Sequence, residues 1–201
     1  GLLNGSEAAS SGFKFPVFED PSSLFGLLLG RNVDFITYDL APFGMESTYT
    51  QKFPIWGPLF GRITGSAGLT IDLAFGYDSE GVKQFVEGDF ENPLDLLAGL
   101  YVSDTNLGTT DVPELAFKGE LFAGAEGNFG VLSVGVEGGI IITVDFDLYD
   151  PDRDGKVRID ELVGNFLFEF ENGNPLLAPI AIFDVTGEVA AQLRAFVEAL
   201  F

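Results

Sequence analysis

The chain contains no cysteine and no histidine, a single methionine, a single tryptophan, and only ten lysines and arginines. Without cysteine it has no disulfide, no thiolate metal site and no thiol nucleophile. Without histidine it lacks the commonest general base and the commonest ligand of transition metals. Catalysis by Ser-His-Asp or Cys-His arrangements is thereby excluded. No apolar run reaches the ~18 residues of a membrane-crossing helix, so no transmembrane segment of that kind is expected. The scarcity of bases is set against 31 acids, giving a formal net charge of −21 and a pI near 4.1. Such a chain is repelled by nucleic-acid phosphates and by anionic membrane surfaces. It attracts divalent cations, which offset its self-repulsion.

What is present is apolar and aromatic. The 201 residues are 46% hydrophobic and include 21 phenylalanines, enough for one large domain or two small ones. With charged residues at 20%, the composition is globular and not disordered. Residues 1–12, small and rich in Gly and Ser, read as a linker or frayed arm, and residues 13–201 as a single β-rich domain. The opening Gly1-Leu2-Leu3-Asn4 has no Met and no signal-peptide pattern, so an internal cut in a larger protein is expected.

Period-2 alternation dominates. From Ile63 to Tyr77 the odd positions are mostly apolar, and the even positions carry Thr64, Ser66, Thr70, Asp72 and Asp78, predicting one long half-buried strand. Leu132 to Leu148 alternates in the same way, with a bend or bulge expected at Gly138-Gly139. Leu115 to Phe129 is a third case, preceded by a turn containing Gly108, Thr109, Thr110 and Pro113. Val185 to Phe201 fits both an alternating strand and a helical stripe through Val189, Leu193, Phe196, Val197 and Leu200; the strand is the favoured reading. Phe18-Glu19-Asp20-Pro21, Phe90-Glu91-Asn92-Pro93 and Phe170 to Pro175 each precede leucines, and in the first two the Asp/Asn-Pro pair suits a helix cap. The expected fold is mainly β: long curved antiparallel strands, as a sandwich or an open or half barrel, with one or two short helices.

One segment carries chemistry, Asp150-Pro151-Asp152-Arg153-Asp154-Gly155-Lys156-Val157-Arg158-Ile159-Asp160-Glu161. A calcium ion takes ~6–8 oxygen ligands, and an EF-hand loop supplies them from positions 1, 3, 5, 7, 9 and 12. Those positions are Asp150, Asp152, Asp154, Lys156 (through its carbonyl), Arg158 and Glu161. Arg158 is no acceptor, so free solvent is expected to complete the shell there. Gly155 stands at position 6, where the chain turns with a φ other residues disfavour, and Val157 at position 8 is expected to tuck the loop into the core. Three alternating aspartates, the glycine and the glutamate at this spacing make a strong calcium motif.

The flanks depart from the EF-hand pattern. Ile140 to Tyr149 alternates as a strand where an entering helix belongs, and at most a short exiting helix is expected before Phe166, Phe168 and Phe170 resume alternation. Asp104, Asn106 and Gly108 only imperfectly imitate a second loop, so a paired sensor is not expected. A strand-flanked EF-hand loop among long Gly-rich acidic strands, at Gly61 to Asp78 and Phe146 to Leu162, resembles modules of very large secreted or surface bacterial proteins. The resemblance implies an extracellular adhesive or matrix module, rigidified by calcium and partnered by neighbouring modules or copies of itself.

Parts of the sequence fit other functions. The phenylalanines and one-faced strands would suit a binding module for lipid or another apolar ligand, with ordinary core as the plainer explanation. A membrane β-barrel also alternates, but one Trp and five Tyr make thin aromatic girdles. No enzyme is expected: Glu19, Glu91 and Glu171 are plausible acids, but nothing singles out a catalytic pair.

Overall fold

In a computed structural model of the chain, residues 12–105 and 112–199 are described. The expected linker over residues 1–12 lies outside them apart from Gly12, which opens a strand, and so does the turn at Gly108 to Thr110. The strands are β1 (Gly12–Lys14), β2 (Asp34–Asp39), β3 (Phe43–Trp56), β4 (Leu59–Ile71), β5 (Ala74–Asp78), β6 (Leu100–Ser103), β7 (Leu115–Asn128), β8 (Leu132–Leu148), β9 (Lys156–Arg158) and β10 (Phe183–Ala199). The helices are α1 (Pro16–Glu19), α2 (Leu24–Leu28), α3 (Glu80–Glu87) and α4 (Ile159–Glu171), with 3-10 turns at Pro21–Ser23 and Pro93–Gly99. The fold is mainly β, built of two five-stranded antiparallel sheets, neither closed into a barrel.

The chain divides into two compact units. The first takes residues up to Pro42, Asp72–Glu114 and Asp147–Asp184; it holds the sheet β1-β2-β5-β6-β9 and all the helices. The second takes Phe43–Ile71, Leu115–Phe146 and the residues from Val185 on; it is the sheet β10-β8-β7-β4-β3.

The run from Ile63 to Tyr77 is not one strand. It breaks at Asp72-Leu73 into β4 and β5, which belong to different sheets. At the break the backbone changes partners: Asp72 N–H donates to the Glu114 carbonyl and the Leu73 carbonyl accepts from Leu40 N–H, both at 3.0 Å. Conversely β8 passes through Gly138 and Gly139 in continuous register with β7, so of the expected bend or bulge there is no bulge. The rings of Phe122 and Phe196 explain Gly139 and Gly135, where a Cβ would collide with them. The C-terminal segment adopts the strand alternative, as β10.

Phe166 to Phe170 is helical, not extended. Val163, Phe166, Leu167 and Phe170 fall on a helical stripe, the Phe166 and Phe170 rings stack at 6.2 Å, and Asp160 and Glu161 suit the first turn. Gly173, at φ 84°, ends the helix. Before the leucines, Asp20 caps one 3-10 turn by accepting from Ser22 N–H, and Asn92 caps the other by accepting from Leu94 N–H at 3.2 Å. Asn92→Ala should therefore cost about 1 kcal/mol; an unchanged urea midpoint would show the cap to be idle.

The two faces of the second sheet are strongly segregated. The register places Phe43, Met45, Tyr49, Phe53 and Trp56 of β3 level with Leu59, Ile63, Leu69 and Ile71 of β4. The same face continues through Leu115, Phe117 and Leu121 of β7 and Val134, Val136, Ile140 and Ile142 of β8. Leu193 lies beside Gly138, which adds Val189, Leu193 and Val197 of β10. The opposite face holds Lys52, Arg62, Lys118, Glu120, Glu126, Glu137, Arg194 and Glu198. That polar face is the more buried one: Phe122 is 0% and Glu126 1% exposed, against 81% for Leu193.

Candidate functional site

The loop between β8 and β9 is shaped by its own aspartates. Asp150 accepts from Arg153 N–H at 2.8 Å with one carboxylate oxygen and from Gly155 N–H at 2.7 Å with the other. Asp152 accepts from Asp154 N–H at 3.1 Å. Arg153 (φ 59°) and Gly155 (φ 79°) both take left-handed backbone, which folds the chain around the Asp150 side chain. As a result Asp150, Asp152 and Asp154 each present a ligand oxygen, all within 4.8 Å of one another. Such a trio can hold a cation.

The remaining motif positions fall around this trio. Val157 is fully buried. β9 anchors the loop to β6, pairing Val157 with Val102 and Lys156 with Ser103, while Asp104 N–H donates to the Gly155 carbonyl at 3.1 Å. Glu161 sits in the first turn of α4 and accepts from Arg158 N–H at 2.8 Å; it is not within the close trio. The Arg158 side chain is held by carboxylates. Its guanidinium donates to Asp78 at 3.0 Å and to Asp154 at 3.3 Å.

Asp78 was not legible from the motif and is central to it. Its carboxylate is fully buried at the end of β5 and receives two of the loop's three basic side chains, Lys156 at 2.9 Å and Arg158 at 3.0 Å. Lys156 also reaches Asp34 at 2.6 Å and lies 4.5 Å from the Tyr101 ring centre. Burial would lower the Arg158 pKa, but its hydrogen bond to Asp78 and the charges of Asp78 and Asp154 hold it above the ordinary value. The loop is thus clamped to the sheet by its positions 7 and 9.

The carboxylates repel one another. Burial first, and then the charges of Asp152 and Asp150, raise the Asp154 pKa, with Arg158 partly opposing. Glu161 is raised by burial and by Asp152, Asp150 and Asp154, against its hydrogen bond from Arg158 N–H. A divalent cation among them would relieve this repulsion.

A second acidic group has no counterpart in the local sequence. Asp104, Glu114 and Asp147 converge from the ends of β6, β7 and β8, with ligand oxygens within 4.8 Å. Asp104, Asp147, Asp150, Asp154 and Asp184 line one cavity of about 440 Å³. Glu114 accepts from Leu148 N–H at 2.7 Å, yet burial, aided by Asp147 and Asp104, pushes its pKa up to about 7.

Because that pKa lies above the unfolded value, ionising Glu114 opposes folding. The penalty is absent below the ordinary glutamate range and develops as pH rises toward 7. In chelator, Glu114→Gln should flatten the loss of stability between pH 5 and 8 relative to the parent chain. Parallel melting-temperature profiles for the two proteins would contradict this.

No helix among the described residues is long and apolar enough to cross a membrane. Comparison with protein-family models, with curated proteins and with solved structures returns no match to this chain.

Proposed function

We propose that the loop from Asp150 to Glu161 binds one calcium ion, and that the ion braces a non-enzymatic, β-rich structural or adhesive module of a secreted or cell-surface protein. The observation that carries this reading is the trio Asp150, Asp152 and Asp154, gathered within 4.8 Å by a turn at Gly155. Asp150, Asp152 and Asp154 would contribute side-chain oxygens, Lys156 its carbonyl and Glu161 its carboxylate. The strand on one side and α4 on the other make this half of an EF-hand. With Lys156 and Arg158 clamped on Asp78, the loop has little freedom to open, which favours a brace over a sensor. Adhesion and an extracellular setting rest on the module-like sequence pattern and on the ~10⁻⁴–10⁻³ M affinity of extracellular calcium modules.

Tyr149 adjoins the loop and gives a direct assay. Terbium added to the calcium-free chain should luminesce on tyrosine excitation, and calcium should quench that emission by displacement. No sensitised emission, or emission that survives in Asp150→Asn/Asp154→Asn, would contradict the reading.

A further inference from the structure

The second sheet is built with its polar side inward. Flat, its edge strands β3 and β10 would lie roughly 19 Å apart, at ~4.8 Å per strand spacing. Yet Lys52 on β3 reaches Glu198 on β10 at 3.7 Å. The sheet is therefore tightly coiled, with the charged face concave. There, Glu126 binds Lys52 at 2.6 Å and Arg62 at 3.1 Å, and Arg194 binds Glu137 at 2.7 Å. The Arg194 and Arg62 guanidinium groups lie over Phe122 and Phe196, at 3.7 and 4.4 Å from the ring centres. This is a partly enclosed polar side whose charges are largely paired with one another.

The convex face is its complement. Among the described residues of its five strands, no Asp, Glu, Lys or Arg lies on that face. The β3–β4 and β7–β8 turns lie at the same end, where Asn128 N–H donates to the Pro58 carbonyl at 2.8 Å. Turns are normally polar, but these expose Trp56 (80%), Phe129 and Val131. β4 has 13 residues; at ~3.3 Å each they span roughly 40 Å. That length is enough to cover the ~30 Å hydrocarbon core of a bilayer.

We propose that the convex face of this sheet lies against the acyl chains of a lipid bilayer, with the Trp56 and Phe129 turns at one margin of the apolar band. A second copy is the poorer occupant, because two convex surfaces meet only along a line, whereas acyl chains follow the curvature. A protein interface also carries a polar rim, and this face has no charge to form one. The zwitterionic bilayer is the appropriate partner, since the chain's net charge of −21 opposes an anionic one.

Trp56, the only tryptophan, reports on the contact. Mixed with phosphatidylcholine vesicles, the full chain should float with the lipid. Its tryptophan emission should shift to the blue, and phosphatidylcholine brominated on its acyl chains should quench it several-fold. Val189→Glu/Leu193→Glu should reduce flotation at least tenfold with an unchanged far-ultraviolet circular dichroism spectrum. Glu188→Gln, on the concave side, should float like the parent. Emission that stays water-like, with all protein at the bottom of the gradient, would overturn the proposal. So would a lipid-free dimer with blue-shifted emission that Leu193→Glu dissociates. The quenching experiment uses the unaltered chain, so a variant that fails to fold does not decide the outcome.

Discussion

Replacing Asp78 by alanine should destabilise the first unit by about 3–5 kcal/mol, the cost of leaving buried charge without its partner. The carboxylate is fully buried and holds Lys156 and Arg158, which have only minor exposure themselves. Its other oxygen accepts from Glu80 N–H at 3.0 Å, so the substitution also frees the start of α3. Asp78→Asn keeps the shape but loses the charge, and should cost nearly as much. The distinguishing control is a double variant in which Arg158→Met accompanies Asp78→Ala, since removing both sides of a buried pair costs less than removing one. Chemical denaturation of the three variants measures the coupling. Additive losses would mean that Asp78 and Arg158 do not act as a pair.

Calcium should raise the stability of the intact chain, and the gain should depend on the loop. With a Kd of ~10⁻⁴–10⁻³ M, about 10 mM calcium should add roughly 1.4–2.7 kcal/mol by mass action. The effect should vanish in Asp150→Asn/Asp154→Asn, which removes carboxylates that repel one another but also one of the two backbone N–H bonds to Asp150 and the Arg158–Asp154 pair, so each protein is compared with itself in chelator. The same variant separates this from general screening: added salt relieves the net charge of −21, but does so equally in both proteins. Melting curves that coincide in calcium and in chelator would contradict the brace.

Strand content was legible because alternation survives in β7, β8 and β10 almost residue by residue. The boundary at Asp72 was not, because β4 and β5 alternate in phase and no Gly or Pro marks the change of sheet. Residues 159–171 failed for a related reason. Phe166, Phe168 and Phe170 mimic a strand, whereas Val163, Phe166, Leu167 and Phe170 satisfy the helical period that the acidic first turn selects. Alternation also defines two faces without saying which is inside. Here the answer lies in Lys52, Arg62, Glu126, Glu137 and Glu198, whose pairing across the coiled sheet encloses the polar side. Glu126 illustrates the balance: burial would raise its pKa, but hydrogen bonds from Lys52 and Arg62 hold it below the ordinary value.

The loop was visible as a motif because its ligands are local in sequence. Its clamp was not, because Asp78 is 78 residues from Lys156 and 80 from Arg158. Likewise Asp104, Glu114 and Asp147 meet only after three strands have been placed. Position 9 is the instructive case. Read locally, Arg158 is a poor calcium-loop residue; placed in the fold, it ties Asp154 to a buried carboxylate.

The most direct measurement is calorimetric titration of the chelator-treated chain with calcium. The account predicts a saturable site with a Kd of ~10⁻⁴–10⁻³ M, abolished by Asp150→Asn/Asp154→Asn and retained in Glu114→Gln. No saturable heat, or undiminished binding in the double aspartate variant, would contradict it.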